Sequence, residues 1–471
     1  EIIKQTSYDQ ITLVGRVVSG VFDLLALWMI YKLGTFLYKK RTGVLAAAFY
    51  AAAVFPIQMS HYFTVDSFCT VFVILAVYLT FKSIRIIDAQ FRLTWRNLVW
   101  FGLFGLVVGM AGACKVNALP VFVVILIAAL VHLISVRKQS GFRTQLAVLA
   151  CGLLLALMFT FVGFRVFQPY AFTGTGFLGA SLNQRWLEII KEVTNQVAGY
   201  SEWPPNHHWT DRPFTYAWVN MVVWGMGLPL GLAAWAGLLW AAWRIWKGDW
   251  RSHLLPLVWV VLYFFWQNAQ FWRYMRYFLI IYPFLILFGA WALTELWEKT
   301  RENRKLLFAN KISFTGLRQT WKGLAVLLLS ILILLTTWAY AFGFSRIYTR
   351  PLSRIAASEW ILDNIAGPLN LKINTSQGQD TYPVYIINRW SLEPGDSPEI
   401  DLHVKNDGTL ASVTTTDIRQ VGVNIYFRIS KQENGDEIVT EGRLPVADDS
   451  SAENLEIPFG QVTLSKDTPY F

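Results

Sequence analysis

The segment Ser60-His61-Tyr62-Phe63-Thr64-Val65-Asp66 puts a histidine and an acid at the junction of two long apolar stretches. Charge at the edge of a bilayer is costly unless something uses it. Other polar groups stand at similar junctions. Lys115 and Asn117 lie in the tight turn Ala113-Cys114-Lys115-Val116-Asn117-Ala118, and Arg273 and Arg276 are spaced to share one helix face. Arg16 and Asp23 fall in the first apolar segment, while His207, His208, Trp209, Asp211 and Arg212 close a long loop. Basic groups opposed by a few acids suit a diphosphate, phosphate or carboxylate held at a membrane surface. Arginine grips such an anion as a fork and lysine as a point charge.

Each group also has a plainer use. Arg273 and Arg276 could snorkel to the interface, His61 and Asp66 could form a structural hydrogen-bonded pair, and Asp23 could pair with a neighbouring helix. A lone lysine in an apolar turn has less structural use, which favours ligand contact for Lys115. His207 and His208 are adjacent, so they seldom point at one ion, and no spaced third ligand follows; no metal is expected. The pairs Gly102/Gly105 and Gly109/Gly112 read as small-residue packing faces for membrane helices, and no nucleotide-binding loop is present.

The elements that must position these groups are membrane helices. The chain has 471 residues, 54% hydrophobic and only 15% charged, against roughly 25% charged in soluble domains. Its apolar runs reach the length of about 20 residues needed to cross the hydrocarbon. About ten segments are predicted, near 11–38, 43–59, 66–84, 98–113, 117–136, 144–166, 214–243, 254–268, 276–296 and 322–344. The connections alternate in charge. Lys39-Lys40-Arg41, Lys82 to Arg96, Arg137 to Arg143, Arg244 to Arg251 and Lys299 to Lys322 hold most of the Lys and Arg and are read as cytoplasmic. The candidate residues then fall at the outer face. Net charge is +10, which this retention explains without invoking nucleic acid. The 22 Trp and 19 Tyr fit interfacial belts. Cys69, Cys114 and Cys151 all lie in apolar segments and read as packing residues.

Beyond the spans, Trp186 to Val193 is a candidate amphipathic helix within the outer loop 167–213. Residues 346–395 read as a helix, Ser353 to Ile365, and a connector; 396–471 read as a small β-sandwich-like domain. Alternation in Ile400 to Val404 and Val421 to Phe427 supports the strands, and Asn406-Asp407-Gly408 and Asn434-Gly435-Asp436 supply turns. Asn374-Thr375-Ser376 matches the short glycosylation pattern. Glu1 is no initiator methionine and Phe471 falls within an apparent strand, so the protein is expected to extend beyond both, with a further helix and outer loop upstream.

Four stretches carry a resemblance: Ser60 to Ser67, Ala113 to Leu119, Gln168-Pro169-Tyr170-Ala171-Phe172, and Arg276-Tyr277 leading to Pro283. In this order the chain resembles the GT-C superfamily of lipid-carrier-dependent glycosyltransferases, nearest the bacterial relatives of protein O-mannosyltransferases and the aminoarabinose transferases. The resemblance covers roughly 10–365 and implies a multi-pass protein of the plasma (inner) membrane with its C-terminal domain extracytoplasmic. It further implies an inverting transfer from a polyprenyl-phosphate sugar to a protein or glycan acceptor, with no other cofactor. Arg276, Lys115, His61 and Arg273 would hold the donor phosphate; Asp66, Asn117, Arg16, His207 and His208 would line the substrate site. The family's catalytic acid belongs to an outer loop expected before Glu1, so none is assigned; Asp9 lies too close to the first span. Two alternatives stay open. The chain could be a non-catalytic subunit or scaffold of the same fold, with a protein partner on the β domain. It could also be a transporter, which the lack of an internal repeat and of mid-span polar groups disfavours.

Overall fold

A computed structural model describes residues 8–88, 90–174, 179, 181–200, 204–308, 314–350, 353–365, 367, 369–384, 402, 404, 406–418, 425–432, 437–444, 453–466 and 468–471. The chain forms two compact units, Glu1–Ile347 and Tyr348–Phe471.

The first unit is helical. Its elements are α1 (Tyr8–Leu37), α2 (Lys40–Ala52), α3 (Val54–Ser60), α4 (Asp66–Ser83), α5 (Leu98–Cys114), α6 (Val123–Val136) and α7 (Phe142–Phe167). Then follow α8 (Gln184–Ala198), α9 (Tyr216–Asn220), α10 (Leu228–Trp246), α11 (Leu254–Asn268), α12 (Met275–Phe278), α13 (Tyr282–Phe308) and α14 (Phe314–Ser345). Among the described residues, eight helices are long and apolar enough to span a bilayer, nine if the bent pair α2–α3 counts as one. The predicted segment 254–268 is α11, a 15-residue helix shorter than these spans.

Two predicted segments are broken, and prolines explain both. The chain bends by 62° between α2 and α3. Pro56 donates no N–H and its ring crowds the carbonyl four residues back, at Ala52, where α2 ends. Likewise Pro229 lies four residues after Gly225, where a wide turn, Met221–Gly225, ends before α10. Gly227 between them has φ +81°, a left-handed geometry that glycine adopts without strain.

The core centres on α13, whose Phe284, Leu285, Ile286 and Phe288 are fully covered. The small-residue faces pack as read from the sequence. A side-chain carbon on Gly105 would meet the backbone carbonyl of Ala156, and Gly109 faces Thr160 and Gly163. The α5 and α7 backbones therefore touch along a glycine–alanine seam.

The helix order brings the charged junctions to two ends. At the lysine- and arginine-rich end, Lys39 pairs with Glu298 and Arg244 with Asp249 and Glu295. The other end gathers the 60–66, 114–117 and 268–276 junctions.

The second unit opens with α15 (Ser353–Asn364), as the sequence predicts. It continues with β1 (Leu369–Thr375), β2 (Gly378–Val384), β3 (Gly408–Ile418), β4 (Ile425–Ser430), β5 (Ile438–Leu444) and β6 (Glu453–Leu464). One antiparallel sheet has the order β2-β1-β3-β6, and β4 pairs with β5 in a second. Ile373, Leu410, Val413 and Leu464 form the core on the first sheet, and Ile429 of β4 joins it. Strands β1 and β2 fall in 346–395, which the sequence reading assigned to a helix and connector; β1 pairs with β3 and β2 with β1, which puts both in the sheet. Residues 400, 401, 403, 421–424 and 434–436, also invoked in that reading, lie outside the described set, as does Glu1. Gly408 begins β3 directly after the predicted Asn406-Asp407 turn.

Candidate active site

Asp66 opens α4, and Lys115 is the residue that ends α5. A carboxylate at a helix N-terminus and an ammonium at a C-terminus each complement the local dipole. Because α4 and α5 pack side by side in opposite directions, the two groups meet, and Lys115 Nζ forms an ion pair with Asp66 Oδ1. The Asp66 side chain is 4% exposed and that of Lys115 18%. Lys115 also lies over the Tyr277 ring, 4.5 Å from its centroid.

Arg276, in α12, reaches the same place. Its guanidinium lies 5.5 Å from the centroid of Tyr277 and 5.7 Å from that of Tyr274. Tyr277 thus has the two cations, Lys115 and Arg276, against one ring. Arg276 is otherwise exposed.

Asn117 lies in the short 3-10 helix Val116–Phe122 that follows Lys115. Its amide donates to Tyr263 Oη at 3.2 Å and Gln267 Oε1 at 3.5 Å, both on α11. Tyr263 in turn donates to the Tyr277 carbonyl at 2.9 Å. Asn117 Oδ1 is buried with no hydrogen-bond partner among the described residues. Tyr263, Gln267 and Tyr277 were not singled out by the sequence reading. Tyr263 and Gln267 sit four apart, one turn of α11, and that polar pair on an apolar helix was the available signal.

His61 does not pair with Asp66. Its Nδ1 donates to the Ile57 carbonyl at 2.7 Å, which closes the end of α3, and the ring is exposed. Phe63 in the same turn packs on Gly15 of α1, next to the exposed Arg16. Asp23, deeper in α1, accepts from Tyr50 Oη at 2.8 Å, the helix pairing considered for it.

Arg273 is committed elsewhere. Its Nε donates to the Asn268 carbonyl at 2.8 Å and its Nη1 to the Arg212 carbonyl at 2.7 Å. Those bonds tie the loop after α11 to the end of the long loop, and they separate Arg273 in role from Arg276. His207 and His208 are exposed on a 3-10 turn, Pro204–Trp209, and His208 offers its carbonyl to Arg212 Nε at 3.0 Å. No metal-holding group of three His, Cys, Asp or Glu occurs among the described residues.

The predicted surface helix is α8, capped at its start by Asn183, whose side chain accepts from Arg185 N at 3.0 Å. Gly199, at φ +87°, ends it, with Phe271 packed against that glycine. The Val197 carbonyl accepts from both Phe271 N and Trp272 N, at 3.1 and 3.3 Å.

The arrangement offers one anchored cation, Lys115, one exposed cation, Arg276, a buried carboxylate and an amide oxygen with spare accepting capacity. Chemically it can hold an anion and orient a hydroxyl beside it.

Comparisons with solved structures find a likeness to two proteins. It is 17% identical to the apo oligosaccharyltransferase of Archaeoglobus fulgidus, covering 74% of this chain and 47% of that one at TM-score 0.46. A form of the same protein tethered to an acceptor peptide gives 16%, 75%, 46% and 0.47. ArnT of Cupriavidus metallidurans bound to undecaprenyl phosphate is 16% identical, covering 70% of this chain and 61% of that one at TM-score 0.37. The chain thus spans about half the length of the oligosaccharyltransferase it matches. No curated protein sequence matches it. Residues 9–164, which carry Arg16, His61, Asp66, Lys115 and Asn117, match the family model for dolichyl-phosphate-mannose-protein mannosyltransferases.

Proposed function

We propose that the chain is a membrane glycosyltransferase that moves a sugar from a polyprenyl-phosphate donor to a protein or glycan acceptor at the outer face. The observation that carries this reading is Lys115, held between Asp66 and the Tyr277 ring, with Arg276 on the same ring. The family-model match over 9–164 and the undecaprenyl phosphate bound by ArnT agree with such a donor.

In the reaction an acceptor oxygen attacks the anomeric carbon, and the bond from that carbon to the phosphate oxygen breaks. The electron pair leaves with the phosphate, which gains negative charge as it departs. Lys115 and Arg276 would stabilise that charge, and fixed charges aimed at a leaving group act most strongly where water is excluded. Attack from the face opposite the phosphate inverts the anomeric centre. The acceptor's proton passes to a base that no residue of this chain is assigned to be. Tests should begin with the full chain in lipid nanodiscs and a set of polyprenyl-phosphate sugars, reading release of polyprenyl phosphate. Lys115→Met should lower turnover by roughly 100- to 1,000-fold, the usual scale for losing one charge-stabilising group. Turnover unchanged in Lys115→Met would remove the reading.

A second reading, a non-catalytic subunit, draws on Asp66. Its carboxylate is occupied by Lys115 and buried, so it is poorly placed to take an acceptor's proton. Binding of a polyprenyl-phosphate sugar with no release of product, across every donor and acceptor offered, would favour it.

A further inference from the structure

We propose that the lysine- and arginine-rich end of the helical unit carries a separate site for one anionic glycerophospholipid, its phosphate on Arg41 and an acyl chain in the groove between α2, α13 and α14. The groove has a volume of about 240 Å3 and is open on one side. Leu45 of α2, Leu293 and Trp297 of α13, and Leu327, Ile331 and Leu334 of α14 line it. Its hydroxyl groups are already satisfied. Ser330 donates to the Val326 carbonyl at 2.8 Å, and Thr294 exchanges a hydrogen bond of 2.7 Å with Thr42. The walls therefore present hydrocarbon, and the polar feature left is Arg41.

Arg41 is the one charged residue among those that line the groove. Lys39 and Arg244 at this end are held by Glu298, Asp249 and Glu295. Arg41 is exposed and has no acidic partner among the described residues. Trp297 lines the same groove, and tryptophan marks the headgroup level of a bilayer. From Val326 to Leu334 the α14 wall runs about 12 Å at the helical rise, close to the roughly 15 Å of one leaflet. A groove opening into hydrocarbon is filled by lipid. One tail-length of apolar wall with one cation at the headgroup level selects a lipid with a single negative phosphate. A polyprenyl chain far exceeds that length, so a glycerophospholipid is the better match. Unpaired basic groups between membrane helices attract such headgroups.

The test uses the full chain in nanodiscs containing phosphatidylglycerol or phosphatidylcholine, each with a photoreactive group midway along one acyl chain. Adducts are mapped by mass spectrometry. Adducts should concentrate on Leu45, Leu327, Ile331 and Leu334, and phosphatidylglycerol should label these positions about fivefold more than phosphatidylcholine, the value of one basic group near a lipid surface. Arg41→Gln should abolish that preference, and Ser330→Trp, which fills the groove, should remove groove adducts with both lipids. Arg41 is exposed, so its variant tests the site without disturbing the core. Adducts spread evenly over all lipid-facing helices, or an equal yield from both lipids in the unaltered chain, would overturn the proposal. Displacement of the label by polyprenyl phosphate but not by phosphatidylglycerol would also overturn it.

Discussion

Asp66 and Lys115 are each legible as polar residues at a membrane edge, but their union is not. Sequence proximity pointed Asp66 at His61, whereas the antiparallel packing of α4 and α5 delivers it to Lys115, and His61 turns back to cap its own helix. Removing one partner of a buried pair leaves an uncompensated charge. Because Lys115 keeps some contact with water, Asp66→Asn should cost about 2 kcal/mol, less than a fully buried pair. Asp66→Asn combined with Lys115→Met should cost less than the sum of the two, measured by a double-mutant cycle on thermal unfolding. The two arginines separate in the same way. Arg273→Gln should lower stability by roughly 2 kcal/mol through its lost bonds to two carbonyls, while Arg276→Gln should leave the melting temperature alone and reduce turnover. Equal effects of the two variants on stability would contradict these roles.

At the scale of elements, most spans were readable because apolar length maps directly onto bilayer thickness. The two breaks were not read, although Pro56 and Pro229 each lie four residues after one and mark it. The glycine faces were read correctly, and they predict a sharp steric response. Gly105→Leu has no room against Ala156, so it should destabilise the helical unit by about 1–3 kcal/mol, whereas Leu103→Ala, on the exposed side of α5, should cost little. Thermal unfolding of both variants checks this. His253, between α10 and α11, is a feature the sequence reading passed over. It is 2% exposed, accepts or donates a 2.9 Å bond with Tyr38 Oη, and lies against Trp291. Burial pushes its imidazole down to about 4, against the pull of the Asp249 carboxylate and with a smaller push from Arg244. The unfolded chain, with a pKa of about 6.5, then binds more protons between these values. Stability should therefore be full above pH 6.5 and fall as pH drops towards about 4. His253→Gln should flatten that slope; an unchanged slope would show that another group sets it.

For the whole molecule, the sequence reading divided the chain at 345 and 395 into a membrane part, a connector and a β domain, whereas the first strand of the sheet already begins at Leu369. The alternation in Leu369-Asn370-Leu371-Lys372-Ile373 was available, yet its strand character depends on pairing with β3, more than thirty residues on. Long-range pairing is the information a local pattern lacks. The charge asymmetry of the two ends makes a topological prediction. With the three native cysteines replaced, a membrane-impermeant thiol reagent should label His207→Cys in intact cells and should not label Ser140→Cys. The reverse pattern would invert the orientation, and with it the proposed outer site.

The pair of hydrogen bonds that Phe271 N and Trp272 N donate to the Val197 carbonyl joins the end of α8 to the stretch of chain that leads into Arg276. With Leu187 and Val193 partly exposed along α8, that helix would rest its apolar side in the interface and ride up or down with it. The site would then work as a gauge of bilayer thickness, its arginine rising and falling with the surrounding lipid. We expect turnover in nanodiscs to pass through an optimum as acyl chains lengthen, and Phe271→Ala, which loosens the join at Gly199, to blunt that optimum.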